Sequence, residues 1–131
     1  VELTVRVPVA GRNSAIDLDR LVAQTGCDDR ELLMELLDFF VANFPATLDK
    51  MVDAAARRDR DGLRDAAHQA KGAALNAAAV KLAAAAADLE EHAATGDWAV
   101  LDATLQRATG AWIAMREDVG AIRATFGNAA A

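Results

Sequence analysis

The side chains that could do chemistry gather in one short run, His68-Gln69-Ala70-Lys71-Gly72, with Arg64 and Asp65 just before it. Read as a helix, this run places Arg64, Asp65, Lys71 and Gly72 one turn from His68 on a polar face. Leu63, Ala67, Ala70 and Ala74 fall on the other side, so His68 is expected to be exposed rather than satisfied inside a core. An imidazole with an unperturbed pKa of about 6.5 is largely neutral near neutral pH and keeps one ring nitrogen free as a nucleophile. Lys71 can reach the oxygens of a phosphoryl group carried on such a ring and neutralise charge as the group moves. Gly72 stands out in a sequence that uses alanine freely, because glycine in a helix interior costs about 1 kcal/mol relative to alanine. Clearing room around the ring for a partner's active site is one reason to keep it. Acceptance and release of a phosphoryl group is the chemistry these residue types suit.

A relay histidine also needs one nitrogen held, so that the other attacks. If the helix bearing His68 turns back near Ala79, residues lie level when their numbers sum to about twice that of the turn, and Glu90 meets the condition for His68. A carboxylate there can accept from Nδ1–H and leave Nε2 free.

The elements that must position these groups are all helical by pattern. Asp17 can cap a short helix through Gln24, which Thr25-Gly26 stops. From Asp28 or Asp29 to about Arg58, Leu33, Leu36, Leu37, Phe40, Phe44, Leu48 and Met51 recur at three-and-four spacing, with Pro45 inside the pattern and a kink expected there. A third helix is expected from about Arg60 to Leu75, and a fourth from about Ala79 to Ala94. After the stop at Thr95-Gly96 and a cap at Asp97, the positions Leu101, Leu105, Ala108, Trp112, Met115, Val119, Ile122 and Phe126 form the seam of a long last helix. The fold class is therefore all-α: an antiparallel up-down four-helix bundle over residues 15–127 with a short extra N-terminal helix. Residues 1–14, apolar in alternation around Pro8, suit an extended arm or linker, and residues 128–131 a frayed tail.

Composition narrows the function classes. With 2 Pro, 4 Phe and no Tyr, the 131-residue chain lacks the clusters that strands prefer. A net charge of -6 and the absence of a basic stripe argue against nucleic acid as the main partner. The longest apolar stretch, Ala73 to Ala87, is interrupted by Asn76 and Lys81 and is too short to insert in a bilayer. A single cysteine, Cys27, cannot pair within the chain, which suits a reducing compartment; a cytoplasmic location is the expectation. With 2 His and no Glu-x-x-His pair there is no metal set of the kind helical bundles use, and without a Gly-rich phosphate loop there is no nucleotide site.

The segment from Glu31 to Glu90 resembles the histidine-containing phosphotransfer (HPt) family. The resemblance rests on His68-Gln69-Ala70-Lys71-Gly72-Ala73-Ala74-Leu75-Asn76, on Asp59, Leu63 and Ala67 before it, and on Leu82 and Leu89-Glu90 after it. Glu31-Leu32-Leu33, Phe44-Pro45 and Leu48 look like the family's long helix preceding the site. The resemblance implies that His68 is phosphorylated, that Lys71 contacts the phosphoryl group, that Gly72 leaves a steric gap and that Glu90 orients the ring. It further implies a carrier without ATP-dependent kinase activity of its own, taking the group from one receiver-domain aspartate and passing it to another, whether free-standing or beside a hybrid sensor histidine kinase. Magnesium is then expected on the receiver and no cofactor on this chain. The surface met by a response-regulator receiver is expected around His68, at Arg64, Gln69, Gly72 and Leu75. The sequence departs from the family at Ala70, where a larger aliphatic is usual, and at Ala77-Ala78, where an apolar residue and a turn glycine are usual.

The alternative is a helical module that binds a protein partner without phosphotransfer. His92, near a helix end, suits capping; Trp98 and Trp112 suit core or seam anchors; Glu31, Glu35 and Asp38 suit a solvated helix face.

Overall fold

Aspartates open the first three helices. In a computed structural model, which describes residues 15–26 and 28–130 and side chains as far as Thr125, Asp17 accepts from the Arg20 N–H, Asp29 from Glu31 and Leu32, and Asp59 from Gly62. These carboxylates satisfy amides that have no partner inside the helix and sit well at its positive end. The helices are α1 (Leu18–Thr25), α2 (Arg30–Ala56), α3 (Arg60–Asn76), α4 (Val80–His92) and α5 (Trp98–Ala130). The expected arm at residues 1–14 and the thiol of Cys27 lie outside the described residues.

α2 to α5 form a ring in which α3 packs against α2 and α4, and α5 closes it against α4 and α2. Short turns between successive helices make the bundle run up and down. α2 is one helix through Pro45, which cannot donate to the carbonyl one turn back. α5 continues to Ala130, past the Gly127 where the seam pattern places its end. A single glycine costs a helix about 1 kcal/mol and the alanines beyond it favour continuation.

The core is built from two kinds of contact. Phe40, Phe44 and Trp112 form an aromatic cluster with ring centroids 5.0 to 5.8 Å apart. Elsewhere alanine dominates: Ala66, Ala67, Ala70 and Ala74 of α3 and Ala83, Ala85 and Ala86 of α4 are buried. Small side chains let two helices approach closely, so α3 and α4 can share short polar contacts along their outer edge. Leu36 departs from the expected core stripe: it is 36% exposed, because Leu33, Leu37 and Phe40 already fill the inward face and Leu36 lies about 60° to one side. Trp112 is buried, whereas Trp98 is half-buried, with the Arg58 and Arg60 guanidinium groups each 4.7 Å from its ring.

α1 fixes the turn between α3 and α4. Gln24 Nε2 donates to the Leu75 and Asn76 carbonyls at 2.8 and 3.1 Å, adding a side-chain donor to the carbonyls at the end of α3. The Asp17 N–H donates to the Ala78 carbonyl at 3.1 Å. Ala78 itself stands in the left-handed region, φ 55°, where glycine is the ordinary occupant. The Ala79 N–H closes the turn onto the Ala74 carbonyl at 2.8 Å.

Candidate functional site

α3 begins at Asp59, whose Oδ1 accepts from the Gly62 N–H at 2.9 Å; a Cβ at Gly62 would come within 2.5 Å of Asp59 Oδ2. Glycine there admits the cap that starts the site-bearing helix. Leu63, Ala66, Ala67, Ala70 and Ala74 then turn inward, and the polar face that follows from this is the one that carries the site.

His68 lies on that face with 68% of its side chain exposed. Its Nδ1 is 2.8 Å from Glu90 Oε2, on the neighbouring helix α4. A carboxylate can only accept, so the contact assigns the ring proton to Nδ1 and leaves the Nε2 lone pair open. Ala78 takes a left-handed conformation in the turn between the two helices, and with alanines at 77 and 78 Glu90 still reaches His68.

The other oxygen of the same carboxylate, Glu90 Oε1, is closed off from solvent and 2.7 Å from Lys71 Nζ. The contact is an ion pair that joins α3 to α4. Lys71 and then His68 hold the Glu90 carboxyl below its ordinary range, against a smaller opposing effect of burial. Lys71 thus sits on Glu90 in this state, rather than projecting freely toward the ring's outer edge as a phosphoryl contact would.

Gly72 is exposed, and a Cβ built on it would meet nothing within 4 Å. No contact inside the chain calls for glycine there. Leu75 is 44% exposed, two turns on from His68. Arg64 and Gln69 are exposed as well, and with Asp65, His68 and Glu90 they line a depression of about 340 Å³ in front of the ring.

A further apolar surface runs along α2. Leu32, Leu36 and Phe39 are 52%, 36% and 68% exposed, Phe39 being the most exposed large apolar side chain among the described residues. Phe39 and Lys50 are three turns apart on one face of α2, and Lys50 lines the α2/α3 groove with Gln69. The stripe therefore faces the α3 side. Its sequence signal is a second row, 32-36-39, beside the core row 33-37-40, more apolar width than one buried face needs. His92, by contrast, turns its Nδ1 to the Asp88 carbonyl at 2.9 Å, a bond within its own helix. Among the described residues no three His, Cys, Asp or Glu side chains are grouped to hold a metal ion, and no helix is long and apolar enough to cross a membrane.

Compared with known proteins, the chain matches the model of the Hpt domain family over residues 35–125, more than half its length. No curated protein and no solved structure matches it.

Proposed function

Because the chain belongs to the Hpt domain family, whose members take part in phosphotransfer in two-component signalling and interact with receiver domains and sensor kinases, we propose that it is a relay intermediate carrying the phosphoryl group on His68 Nε2. The observation that carries the reading is the 2.8 Å contact of Nδ1 with Glu90 on a ring that is otherwise open to a partner.

In the accepting step the Nε2 lone pair attacks the phosphorus of a receiver's aspartyl phosphate. The bond from phosphorus to the aspartate oxygen breaks, and its electron pair stays on the departing carboxylate. The ring gains the phosphoryl group and a positive charge while keeping its Nδ1 proton, and Glu90 balances that charge. In the donating step a second receiver's aspartate oxygen attacks the same phosphorus and the electron pair returns to Nε2. Magnesium belongs with the receiver's acidic pocket, where the aspartate is. Transfer of this kind is mainly positioning and charge stabilisation, which a fixed imidazole can supply.

The receiver docks on the outer face of α2 and α3 around Gln69, Gly72 and Leu75, extended by Phe39. Exposed apolar residues beside a polar reacting group suit a transient interface of modest area. A cytoplasmic setting, where receivers and their kinases meet, goes with this reading.

The test is direct. Incubated with a phosphorylated receiver, the chain acquires an acid-labile, base-stable phosphoryl group, and His68→Gln acquires none. Label retained by that variant overturns the assignment to His68. A partner that binds both proteins equally, with no label on either, favours an interaction module without transfer.

A further inference from the structure

Lys71, the cation expected on the phosphoryl group, is committed elsewhere: its Nζ is 2.7 Å from Glu90 Oε1, and its side chain is only 33% exposed. Arg64 is placed differently. Half of its side chain is exposed, and its nearest acids are at the limit of an ion pair, Asp61 Oδ1 at 4.0 Å and Asp65 Oδ1 at 3.7 Å. Neither distance is a hydrogen bond, so the guanidinium fork keeps donors to offer.

Position favours Arg64 as well. Side chains on an α-helix lean toward its N-terminus, so the ring of His68 lies over the turn of Arg64 and Asp65. The depression in front of the ring is lined by Arg64, Asp65, Gln69 and Glu90 beside His68 itself, and Lys71 is not among its lining residues. Glu90 occupies Nδ1, so a group on Nε2 would project toward the open edge of the ring, and Arg64, one turn back on the same helix face, lines the depression there.

We propose that Arg64 is the phosphoryl ligand of this chain, its guanidinium donating to two oxygens of the group on His68 Nε2, and that Lys71 is a positioning residue acting through Glu90. The inference rests on His68 as the carrier and changes which cation touches the transferring group. A planar fork fits two phosphoryl oxygens at once, whereas an ammonium offers a point charge. It adds no covalent step: the bond to Nε2 forms as the donor's bond to phosphorus breaks, and Arg64 neutralises charge on the oxygens throughout.

The experiment uses the whole chain and phosphoramidate, a small donor whose phosphorus–nitrogen bond breaks as His68 attacks, so that no protein docking enters. Phosphorylation is followed by 31P NMR and the ring tautomer by 15N NMR. Arg64→Ala is expected to slow labelling about 10-fold and leave the Nδ1–H tautomer in place, while Lys71→Ala shifts the tautomer balance. Arg116→Ala, which removes a cation from the distant α5, is expected to label at the normal rate. Normal labelling of Arg64→Ala, equal slowing of Arg116→Ala, or a tautomer shift in Arg64→Ala overturns the proposal for Arg64 and leaves His68 as carrier. Labelling of His68→Gln, or none of the unaltered chain, overturns the carrier reading and this inference with it.

Discussion

Lys71 and Glu90 form an ion pair of 2.7 Å across the α3/α4 interface, and the carboxylate that binds the ammonium on one oxygen binds the His68 ring on the other. The ring's orientation is therefore no stronger than the hold that Lys71 and α4 have on Glu90. The consequences of that link can be measured.

The Glu90 carboxyl should titrate below its ordinary value of 4.5, first because of Lys71 and second because of His68. A native value below the unfolded one means stability that is present above the unfolded value and is lost as the pH falls through the native value. The 13C resonance of the Glu90 carboxyl is expected to have its midpoint below 4.5 in the folded protein and to move back up in Lys71→Met. A midpoint at or above 4.5 in the unaltered chain contradicts the pairing.

Gly72→Ala separates the needs of the fold from those of docking. The added methyl meets nothing within 4 Å, so the helix should gain up to about 1 kcal/mol and the urea midpoint should rise. Transfer from a phosphorylated receiver should slow, while labelling by phosphoramidate should not. Unchanged receiver kinetics would remove the steric role given to Gly72.

Phe39→Ser tests the α2 stripe. A side chain already 68% exposed contributes little to folding, so stability should change by no more than about 0.5 kcal/mol. The KM for a receiver is expected to rise about 10-fold, the effect of one apolar anchor in a small interface. Val52→Ser is the comparison: Val52 is 46% exposed but lines the α2/α5 groove, away from α3, and its loss should leave the KM alone. Equal effects of the two substitutions would place the docking surface elsewhere.

What sequence revealed and what it hid divides along the range of the interactions. The exposure of His68 follows from local spacing, since Leu63, Ala67, Ala70 and Ala74 must turn inward once α3 is a helix. The level of Glu90 follows from a hairpin sum, which needs only the centre of a turn. The partner of Lys71 was not legible, because a flexible cation one turn from His68 can point along its own helix or across to α4, and only the packed distance between helices decides. Phe39 was missed for a related reason. A stripe read as one buried row absorbs its neighbours: Leu36 has the inward spacing but is 36% exposed, because Leu33 and Leu37 already fill the inward face. Gln24 reaching the end of α3 from α1 joins residues far apart in sequence, which no periodicity encodes.

The turn that sets Glu90 against His68 contains an alanine with a glycine's backbone, and this gives the last expectation. Ala78 has φ 55°, a region that costs a residue with a Cβ roughly 1 to 2 kcal/mol and costs glycine almost nothing. Ala78→Gly removes that strain but also removes a buried methyl, worth about 0.8 kcal/mol, and loosens the unfolded chain. These effects nearly offset, so Ala78→Gly should be at least as stable as the unaltered chain to within about 0.5 kcal/mol. Ala74→Gly, in the regular interior of α3 and equally buried, has no strain to release and should lose at least about 1 kcal/mol. Urea denaturation of the two variants side by side checks the difference, and a larger loss at Ala78 than at Ala74 would mean that the turn is not left-handed. The 15N signature of the His68 tautomer should survive Ala78→Gly, because the geometry glycine prefers there is the one that already sets residue 90 level with residue 68.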